Sequence, residues 1–596
     1  MPSPRLLGRN ARLLLQAGLQ HLSDDPALLV VQVSRRLGMP VRIRAGRALR
    51  DLCALTSRTQ GVAALGALMA GDAVAAENLA SGSAPRSRLG SEVAVLLGRE
   101  DLVDERTSPN TRARAAWARG DLSGAVAVLE REGRGGSLYA RRLRSELRLL
   151  QPGYRLPVTP HPVTETIGPA AGERLRVLHL ITNSLPHTQS GYSLRTHRIF
   201  TALREADVDS LALTRTGYPV MVGRVGADEV DEVDGIRYAR TLPAILPGTL
   251  QERLIAEVDR ALQIVDEFRP HVLHATTNYL NALVAQAVSE ATGLPWVLEV
   301  RGFMEQTWIA SHGTDRARAQ AAGSEKVALV AAREGELARS ADAVVTLSES
   351  MADELVSRGV DREAITLVPN GVDSALLEQR LSPAEARSVI GLALPADALL
   401  VGAVSALVDY EGFDVLLRAA ARIIHGDDPL GVRLHVLLAG DGVAAPGLKA
   451  LAAELGIEDR LRMPGRVPRE DSATWVQALD TVIVPRLDRE VSRSVTPQKP
   501  VEALALGRPV IVSDLPALKE TVTSLDGTVH AFVTRAGDDE ALARVIRGAC
   551  TGDVSLCGEG AGRRVAAERT WPTLTGRYRC VYETTIAQRT GELHGK

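Results

Sequence analysis

The chain has 596 residues, of which 45% are hydrophobic and 24% are charged, and its formal net charge is −2. The length predicts three or four structural units, and the composition excludes a wholly disordered chain. The near-zero net charge and the 3% of aromatic residues do not indicate a nucleic-acid-binding protein. The four cysteines form no CxxC pair and no zinc-spaced cluster with histidine, which favours a reducing compartment.

Membrane and targeting segments are not evident in the sequence. No apolar run reaches the roughly 18 residues of a membrane-spanning helix, and the start MPSPRLLGRNARLLLQ lacks the features of a signal peptide. We therefore expect a cytoplasmic protein. The first fifty residues hold nine arginines against two aspartates, a local charge of +7. This pattern suits a solvated helix face, which we favour, or peripheral contact with the inner face of the plasma membrane.

Residues 1–150 show helical spacing of leucine and are rich in alanine and arginine. Two segments, 64–80 and 113–130, resemble each other, and each has a Gly-Asp pair at a helix break. Such a repeat is typical of tetratricopeptide-like helix pairs, whose small residues let helices pack closely. The sequence predicts an all-α region and leaves a repeat array and an irregular bundle equally open.

Beyond a linker rich in proline and glycine, short β-branched runs alternate with amphipathic helical stretches, which indicates doubly wound parallel sheets. The predicted strands of the first series are residues 176–182, 208–214, 271–275, 295–300, 343–347 and 365–369. Those of the second series are residues 399–405, 433–440, 461–465, 481–485 and 509–513. The domains predicted are a helical region (1–150), a linker (151–173) and two Rossmann-like domains (174–390 and 391–596).

Paired domains of this kind bind a ligand in the cleft between them, at the carboxyl ends of their strands. Neither domain begins with GxGxxG, which disfavours a dehydrogenase, and the chain has no GxxxxGK[ST], which excludes a P-loop.

Two loops of the first domain carry polar residues next to predicted strand ends. The loop NSLPHTQSGYSLRTHRI opens a helix, where Gly191 would let backbone amides approach an anion. The loop EVRGFMEQTW gathers Arg301, Glu305 and Trp308. These residues would contact a ligand or form an internal ion pair, and the sequence favours neither.

The strongest motif is TPQKPVEALALGRPVIVSD, which begins at Thr496. Lys499 lies just before a helix that contains Glu502. A carboxylate on the first turn of a helix can accept two ribose hydroxyls, and a neighbouring lysine can neutralise a diphosphate. In the alternative, Glu502 only complements the helix dipole. The combination of both residues favours a binding site.

Two further segments lie at the ends of predicted strands. In GAVSALVDYEGFDVLLRA, a strand, a loop and a helix place Ser405 and backbone amides toward a phosphate-sized ligand. In VPNGVD, the pair Asn370-Gly371 predicts a tight turn where the two domains join.

These segments, VPNGVD, YEGFDVLLRA, AGDG and TPQKPVEALALGRPVIVSD, resemble the family-4 (group 1) glycosyltransferases, from about residue 176 to the C-terminus. The segments VLHLITNSLPHTQSGYSLRT and EVRGFMEQTWIAS look like a bacterial subgroup that builds exopolysaccharide, capsule or cell-envelope glycans. The resemblance implies the GT-B fold, two Rossmann-like domains facing a cleft, here preceded by an all-α region. It also implies transfer of a hexose, with retention of configuration, from an NDP-sugar (UDP- or GDP-linked) to a glycan or lipid-linked acceptor. No metal and no other cofactor is implied.

The resemblance also implies roles for individual residues. Glu502 would bind the ribose hydroxyls, and Lys499 would lie near the diphosphate. Arg466 would lie by the nucleobase through its backbone. The donor-binding residues implied are Gly191, Ser405, Arg466, Thr496, Lys499 and Glu502, and the catalytic candidates are Arg301, Glu305 and Lys499.

The chain departs from the family pattern at two positions. The family often has an acidic pair, Glu-x7-Glu, whose second member corresponds to Glu502. At the first position of that pair, this chain has Ser494 instead of an acid. Many relatives have a lysine before the glycine of the "KG" loop, and here it is Glu411. We expect Lys499 and nearby arginines to supply the missing charge.

Two other functions compete with an active transferase. In one, the GT-B part is catalytically degenerate and the helical region docks a protein partner, which the serine at Ser494 favours slightly. In the other, the protein is a hexose 2-epimerase of GT-B fold, which the long SGYSLRT loop and the helical region disfavour.

Overall fold

The computed structural model describes residues 4–34, 39–53, 59–83, 87–163, 168–489, 492–493, 496–551 and 560–594. Contacts between Cα atoms divide the chain into two compact units. Unit one comprises Met1–Leu194, Ser210–Leu298 and Phe303–Ala341; unit two comprises Arg195–Asp209, Glu299–Gly302 and Asp342–Lys596.

Unit one begins with the helical region that the sequence predicts. Its helices are Pro4–Asp24, Pro26–Ser34, Met39–Cys53, Gln60–Ala70, Ala73–Ser83, Arg88–Leu96, Pro109–Ala118, Leu122–Arg131 and Leu138–Leu150. No helix among the described residues of the chain is long and apolar enough to cross a bilayer. The described part of residues 151–173 contains neither helix nor strand.

The two Gly-Asp copies fold in the same way. Gly71 and Gly120 both end a helix with a left-handed backbone, at φ of 84° and 82°. The following aspartate then begins the next helix: Asp72 accepts a hydrogen bond from Ala75 N at 3.0 Å, and Asp121 accepts one from Gly124 N at 2.9 Å. The repeat seen in the sequence is thus one helix–turn–helix unit used twice.

The second copy packs on later parts of unit one. The carbonyl oxygen of Gly120 accepts a hydrogen bond from Lys326 N at 3.0 Å. A Cβ atom at Gly120 would lie 2.6 Å from Ser324 Cβ and 2.9 Å from the Trp308 ring, so no larger residue fits there. Lys326 Nζ lies 4.4 Å from the centre of that ring, within the range of a cation–π interaction.

The sheet strands of unit one are β1 (Leu175–Ile181), β2 (Val208–Thr214), β3 (Val230–Val233), β4 (Ile236–Arg240), β5 (Val272–Thr276) and β6 (Trp296–Val300), in the order β3-β4-β2-β1-β5-β6. β2 pairs with β4 and β1 with β5 in parallel, whereas β3 runs antiparallel to β4. The helices of unit one that accompany these strands are Leu250–Phe268, Tyr279–Thr292, Met304–Ala310, Asp315–Ala322 and Glu325–Ser340, and the helix Gly191–Glu205 begins in unit one and continues into unit two. A fully buried strand such as β5 suits a sheet that is covered on both faces.

Unit two contains the pair β7 (Ala343–Thr346) and β8 (Ile365–Leu367) and a six-stranded parallel sheet. The strands of that sheet are β9 (Leu399–Val404), β10 (Leu434–Ala439), β11 (Leu461–Gly465), β12 (Thr481–Val484), β13 (Val510–Ser513) and β14 (Phe532–Thr534), in the order β11-β10-β9-β12-β13-β14. Its helices are Glu349–Ser357, Pro383–Val389, Phe413–Ile424, Pro429–Arg433, Ala445–Glu454, Ser472–Gln477, Lys499–Ala505, Pro516–Thr521, Asp539–Thr551, Ala561–Ala567 and Trp571–His594.

Two apolar clusters cover the two faces of this six-stranded sheet. On one face, the helix Phe413–Ile424 buries residues such as Leu416 against Val436. On the other face, Leu504 and Leu518 pack against Val512. The chain therefore contains two Rossmann-like domains with parallel sheets and an all-α N-terminal region, which confirms the fold class expected from the sequence.

Candidate functional site

The six-stranded sheet of unit two has a topological switch point between β9 and β12. From β9 the chain winds outward through β10 to β11, and it then returns to β12 and winds outward in the opposite direction. The two strands pair in parallel, with Val482 opposite Gly402, so their carboxyl ends lie at the same edge. Ligands of doubly wound sheets bind at such an edge, because the loops separate there and leave a crevice.

A charged cluster occupies this position. Ser405 follows β9, Arg486 follows β12, and Lys499 begins the helix Lys499–Ala505. Glu411 lies between the two cations: its Oε1 is 3.0 Å from Arg486 Nη2 and its Oε2 is 2.9 Å from Lys499 Nζ. Lys499 Nζ also donates a hydrogen bond to Ser405 Oγ. We call these four residues the switch-point cluster.

The switch-point cluster is buried at Glu411 and Arg486 and open at Lys499. Burial alone would raise the pKa of Glu411, but the charges of Lys499 and Arg486 outweigh it and lower that pKa to about 2. Burial lowers the pKa of Lys499, which Glu411 partly opposes. The Lys499 side chain nevertheless keeps 25% of its surface exposed, against 4% for Glu411. An incoming anion would therefore reach the lysine and not the carboxylate.

Glycines hold the loops of this site by backbone contact. Gly412 has a left-handed backbone, and a Cβ atom there would lie 2.0 Å from the carbonyl oxygen of Pro485. A Cβ atom at Gly442, in the AGDG segment, would lie 2.1 Å from the carbonyl oxygen of Leu407. The glycines of YEG and AGDG thus let the loops after β9, β10 and β12 touch each other directly.

Glu502 and Thr496 lie next to the switch-point cluster along the chain. Glu502 is on the same short helix as Lys499, and its Oε1 is 3.4 Å from Arg198 Nη1. Thr496 is buried, and its carbonyl oxygen accepts a hydrogen bond from Asn370 Nδ2 at 2.7 Å. The partly exposed carboxylate of Glu502 remains available to hydroxyl donors.

The structure has no turn at Asn370-Gly371, so the prediction of a tight turn there is wrong. Val372 forms a parallel bridge with Thr570, and the Trp571 ring lies so close to Gly371 that a Cβ atom would be 2.8 Å from it. The Asn370 side chain also accepts a hydrogen bond from Arg195 Nη1 at 2.7 Å. Asparagine and glycine serve here for side-chain bridging and close packing, and not for a turn.

Arg301 belongs to a second charged group, centred on Glu299, which we call the Glu299 centre. Arg301 Nη2 lies 2.7 Å from Glu299 Oε2, and Arg195 Nη2 lies 3.1 Å from Glu299 Oε1. The Tyr578 hydroxyl donates to Glu299 Oε1 at 2.8 Å, and burial raises the pKa of Tyr578 above its usual range. Arg301 Nη1 also donates to Thr196 Oγ1 at 2.7 Å. The geometry is that of an internal ion pair, one of the two interpretations that the sequence left open.

The other candidate residues are not members of either group. Gly191 begins the helix Gly191–Glu205, and nothing lies within 4 Å of the position of a Cβ atom there. Glu305 is buried in the helix Met304–Ala310 of unit one. Arg466 is exposed and directly follows β11. Ser494, the departure from the acidic pair, lies outside the described residues.

The sequence analysis missed several members of the two groups. Arg486 lies 75 residues from Glu411 and Tyr578 lies 279 residues from Glu299, so no local spacing joins them. The only available signal was the glutamate at Glu411 in the place of the family lysine, since a buried acid needs cations close by. Among the residues that the structure describes, no group of three or more histidines, cysteines or acids could hold a metal ion.

Comparisons with known proteins agree with this fold. Residues 190–371 match the family model "Glycosyl transferase 4-like domain", and residues 397–551 match "Glycosyl transferases group 1". Sucrose-phosphate synthase from Thermosynechococcus elongatus has a similar structure, with a TM-score of 0.54 and 20% identity over 69% of this chain and 100% of that one. Anabaena HepE in complex with UDP has a TM-score of 0.50 and 18% identity over the same shares. These two likenesses show a GT-B fold.

The chain therefore belongs to the group 1 glycosyltransferases of GT-B fold, and it is an NDP-sugar-dependent hexosyltransferase. It is 27% identical to D-inositol 3-phosphate glycosyltransferase 1 of Catenulispora acidiphila over 441 residues, which are 70% of this chain and 97% of the relative. It is 32% identical to the D-inositol 3-phosphate glycosyltransferase of Saccharomonospora viridis over 248 residues, which are 40% of this chain and 52% of the relative.

Proposed function

We propose that the protein transfers a hexose from a UDP- or GDP-linked donor, with retention of anomeric configuration, to a glycan or lipid-linked acceptor. The product would belong to cell-envelope or exopolysaccharide biosynthesis, and the enzyme would act in the cytoplasm, at the inner face of the plasma membrane. The observation that carries the proposal is the switch-point cluster, in which Lys499 and Arg486 stand at the strand ends where a doubly wound sheet binds its ligand.

The donor would bind with its diphosphate at Lys499 and Ser405 and with its ribose at Glu502. An ammonium group beside a hydroxyl suits a diphosphate, and an exposed carboxylate suits two vicinal hydroxyls. Glu411 is positioned to hold Lys499 and Arg486 in place before the donor arrives. Arg466, by its place after β11, would contact the nucleobase through its backbone.

Catalysis would be mainly electrostatic. As the bond between the sugar and the diphosphate breaks, negative charge grows on the leaving oxygen, and cations placed there in advance stabilise it. The acceptor hydroxyl would attack from the face that the diphosphate leaves and pass its proton to a phosphate oxygen. Arg301 and Glu305 remain catalytic candidates by their position after β6, although the contacts of Arg301 support a structural part in the Glu299 centre.

The acceptor divides into two chemical classes. The resemblance of the SGYSLRT and EVRGFMEQTW segments to envelope-glycan enzymes supports a glycan or lipid-linked acceptor. The names of the relatives with inositol 3-phosphate activity support a small phosphorylated polyol as the second candidate. An acceptor panel should hold both classes.

Donor binding is the first test. Isothermal titration calorimetry of UDP-, GDP- and ADP-sugars should find one saturable donor, and Glu502→Ala should abolish its binding. Glu454→Ala, which removes an exposed glutamate from the helix Ala445–Glu454, is the matched control and should bind normally. No binding of any donor to folded protein would instead favour the degenerate docking protein.

Stereochemistry and acceptor chemistry are the second test. With an α-linked donor, proton NMR of the product should show an α-linkage. A β-linked product would contradict retention while leaving the transferase assignment intact. Turnover of the donor into an epimer without any acceptor would instead support the epimerase.

A further inference from the structure

The first helix, Pro4–Asp24, packs on the rest of unit one through one face. On that face Leu13 and Ala17 are buried against Val220 and Leu246. Asn10 Nδ2 donates hydrogen bonds of 2.8 Å to the carbonyl oxygens of residues 225 and 227. These directional bonds fix the rotation of the helix about its axis, so its opposite face cannot turn inward.

The opposite face presents an apolar stripe. Leu15, Leu19 and Leu22 are spaced by four and three residues, so they lie on one side of the helix. Their exposed fractions are 63%, 56% and 54%. A stripe of leucines that faces away from the packed face of its helix is the mark of an interaction site.

Exposed apolar residues are concentrated in this part of the chain. Of the 22 large hydrophobic residues that are exposed among those described, nine fall within residues 7–52. They are Leu7, Leu15, Leu19, Leu22, Val30, Val33, Met39, Val41 and Leu52. Residues 7–52, less than a tenth of the chain, thus contain about two-fifths of the exposed large hydrophobic residues described.

The exposed charged side chains of the same segment are mainly arginines. Each described acid has an ion-pair partner: Asp24 pairs with Arg142, Asp25 with Arg114 and Asp51 with Arg50. The exposed arginines of the segment are Arg5, Arg12, Arg44 and Arg47. The described part of residues 5–52 therefore exposes both leucines and guanidinium groups.

We propose that this N-terminal surface, the exposed apolar and arginine side chains of residues 5–52, docks on an anionic lipid bilayer. Leucines can enter the boundary between headgroups and acyl chains, while arginines bind lipid phosphates and extend to the aqueous side. A second copy of the chain is a poorer occupant, because a self-complementary interface would bring the same arginines together. The proposal rests on the geometry of the helical region and is independent of the donor and acceptor chemistry.

Vesicle binding of the full chain tests this proposal. The probe is co-sedimentation with vesicles of equimolar phosphatidylglycerol and phosphatidylcholine, compared with vesicles of phosphatidylcholine alone. The apolar variant is L15S/L19S/L22S, and its matched control is V389S/V432S/L525S, in which the three residues are 68%, 74% and 76% exposed outside the segment. The charge variant is R12E/R44E, and its control is R141E/R316E, which changes two exposed arginines elsewhere.

The wild type should bind the anionic vesicles and not the neutral ones. Both N-terminal variants should lower the partition coefficient by about tenfold or more, whereas both controls leave it unchanged. Equal binding by wild type and L15S/L19S/L22S would overturn the proposal, as would equal binding to both vesicle types. A wild-type dimer in sedimentation velocity that dissociates in L15S/L19S/L22S would also overturn it, in favour of a second copy.

Donor calorimetry on the same proteins separates this proposal from the proposed function. All four variants should bind the donor as the wild type does and keep its melting temperature, because the changed side chains are exposed and lie outside the switch-point cluster. Normal donor binding without vesicle binding would contradict only the membrane surface. Vesicle binding without donor binding would contradict only the proposed transferase.

Discussion

The switch-point cluster and the Glu299 centre have the same ingredients, one carboxylate and two cations, but opposite access to solvent. In the Glu299 centre, the side chains of Arg195, Arg301 and Glu299 are 4%, 3% and 1% exposed. A tyrosine hydroxyl completes the set. In the switch-point cluster, Lys499 keeps a quarter of its side chain exposed and shares its charge with a hydroxyl.

The difference indicates what each group can do. The charges of the Glu299 centre already satisfy each other, so a ligand would have to break buried ion pairs before it could bind. In the switch-point cluster, the carboxylate is enclosed and the ammonium is accessible, so an anion adds to the group without displacing a partner. Position strengthens the contrast, because only the switch-point cluster lies where two neighbouring parallel strands end.

The largest effect should come from Glu299→Gln. It leaves two buried arginines without a counter-charge, and we expect the free energy of unfolding to fall by about 3–5 kcal/mol. Urea denaturation measures this loss. The control Glu540→Gln, which breaks an exposed pair with Arg544 at 2.7 Å, should cost about 0.3–0.5 kcal/mol. A similar small loss for Glu299→Gln would remove the distinction between the two groups.

Lys499→Ala should act more strongly on catalysis than on folding, because Arg486 still pairs with the buried Glu411. It removes a cation from the expected position of the leaving diphosphate, and kcat/KM should fall by about 10²–10³-fold. Steady-state kinetics with the donor identified by calorimetry measures the effect. Lys449→Ala, an exposed lysine on the helix Ala445–Glu454, is the control and should leave kcat/KM unchanged. If Lys499→Ala had the same kcat/KM as the wild type, the switch-point cluster would have a structural role, as the Glu299 centre does.

The lowered pKa of Glu411 predicts a dependence of stability on pH. Its value of about 2 in the folded protein lies below the usual 4.5, so the carboxylate stabilises the fold above about pH 4.5. That contribution, about 2–3 kcal/mol, is lost as the pH falls from about 4.5 towards 2. The stability advantage of wild type over Glu411→Gln, measured by urea denaturation, should therefore shrink across this range. An advantage that stays constant down to about pH 3 would contradict the ion pairs with Lys499 and Arg486.

The smallest effect should come from Tyr578→Phe. It removes the hydrogen bond of 2.8 Å to Glu299 but leaves both arginines in place, so we expect a loss of about 1–2 kcal/mol in unfolding free energy. Donor affinity, measured by calorimetry, should not change. A weaker donor affinity at unchanged stability would show that the Glu299 centre contributes to donor binding. It would contradict a purely structural role for that centre.

Much of the fold could be predicted from the sequence. All eleven predicted strands are confirmed to within two residues, because each is a short apolar run bounded by clear helix and turn signals. The three strands that were missed are β3, β4 and β14. β3 is only half buried, in a pattern of alternating exposed and intermediate residues, and β14 has only three residues. Such strands exist because a neighbour pairs with them, which local sequence does not record.

The candidate site could be predicted only in part, and for a physical reason. Lys499, Ser405 and Glu502 were identified because the motifs that carry them are local, and the structure brings Lys499 and Ser405 into contact. Arg486 could not be identified, since it reaches Glu411 only through the pairing of β9 with β12. The environment of Arg301 was equally inaccessible, because its partner Glu299 is also bound by Tyr578 from the last helix of the chain.

The packing of the helical region has a consequence for how the chain folds during synthesis. The first helix bonds to Ala227, and the turn at Gly120 bonds to Lys326, so these helices leave the ribosome some two hundred residues before the surfaces that complete them. At a synthesis rate of about 5–20 residues per second, the wait lasts roughly 10–40 seconds. Throughout that time the buried face of the first helix is as open as its leucine stripe, so the nascent chain offers chaperones an apolar target that the finished protein no longer has.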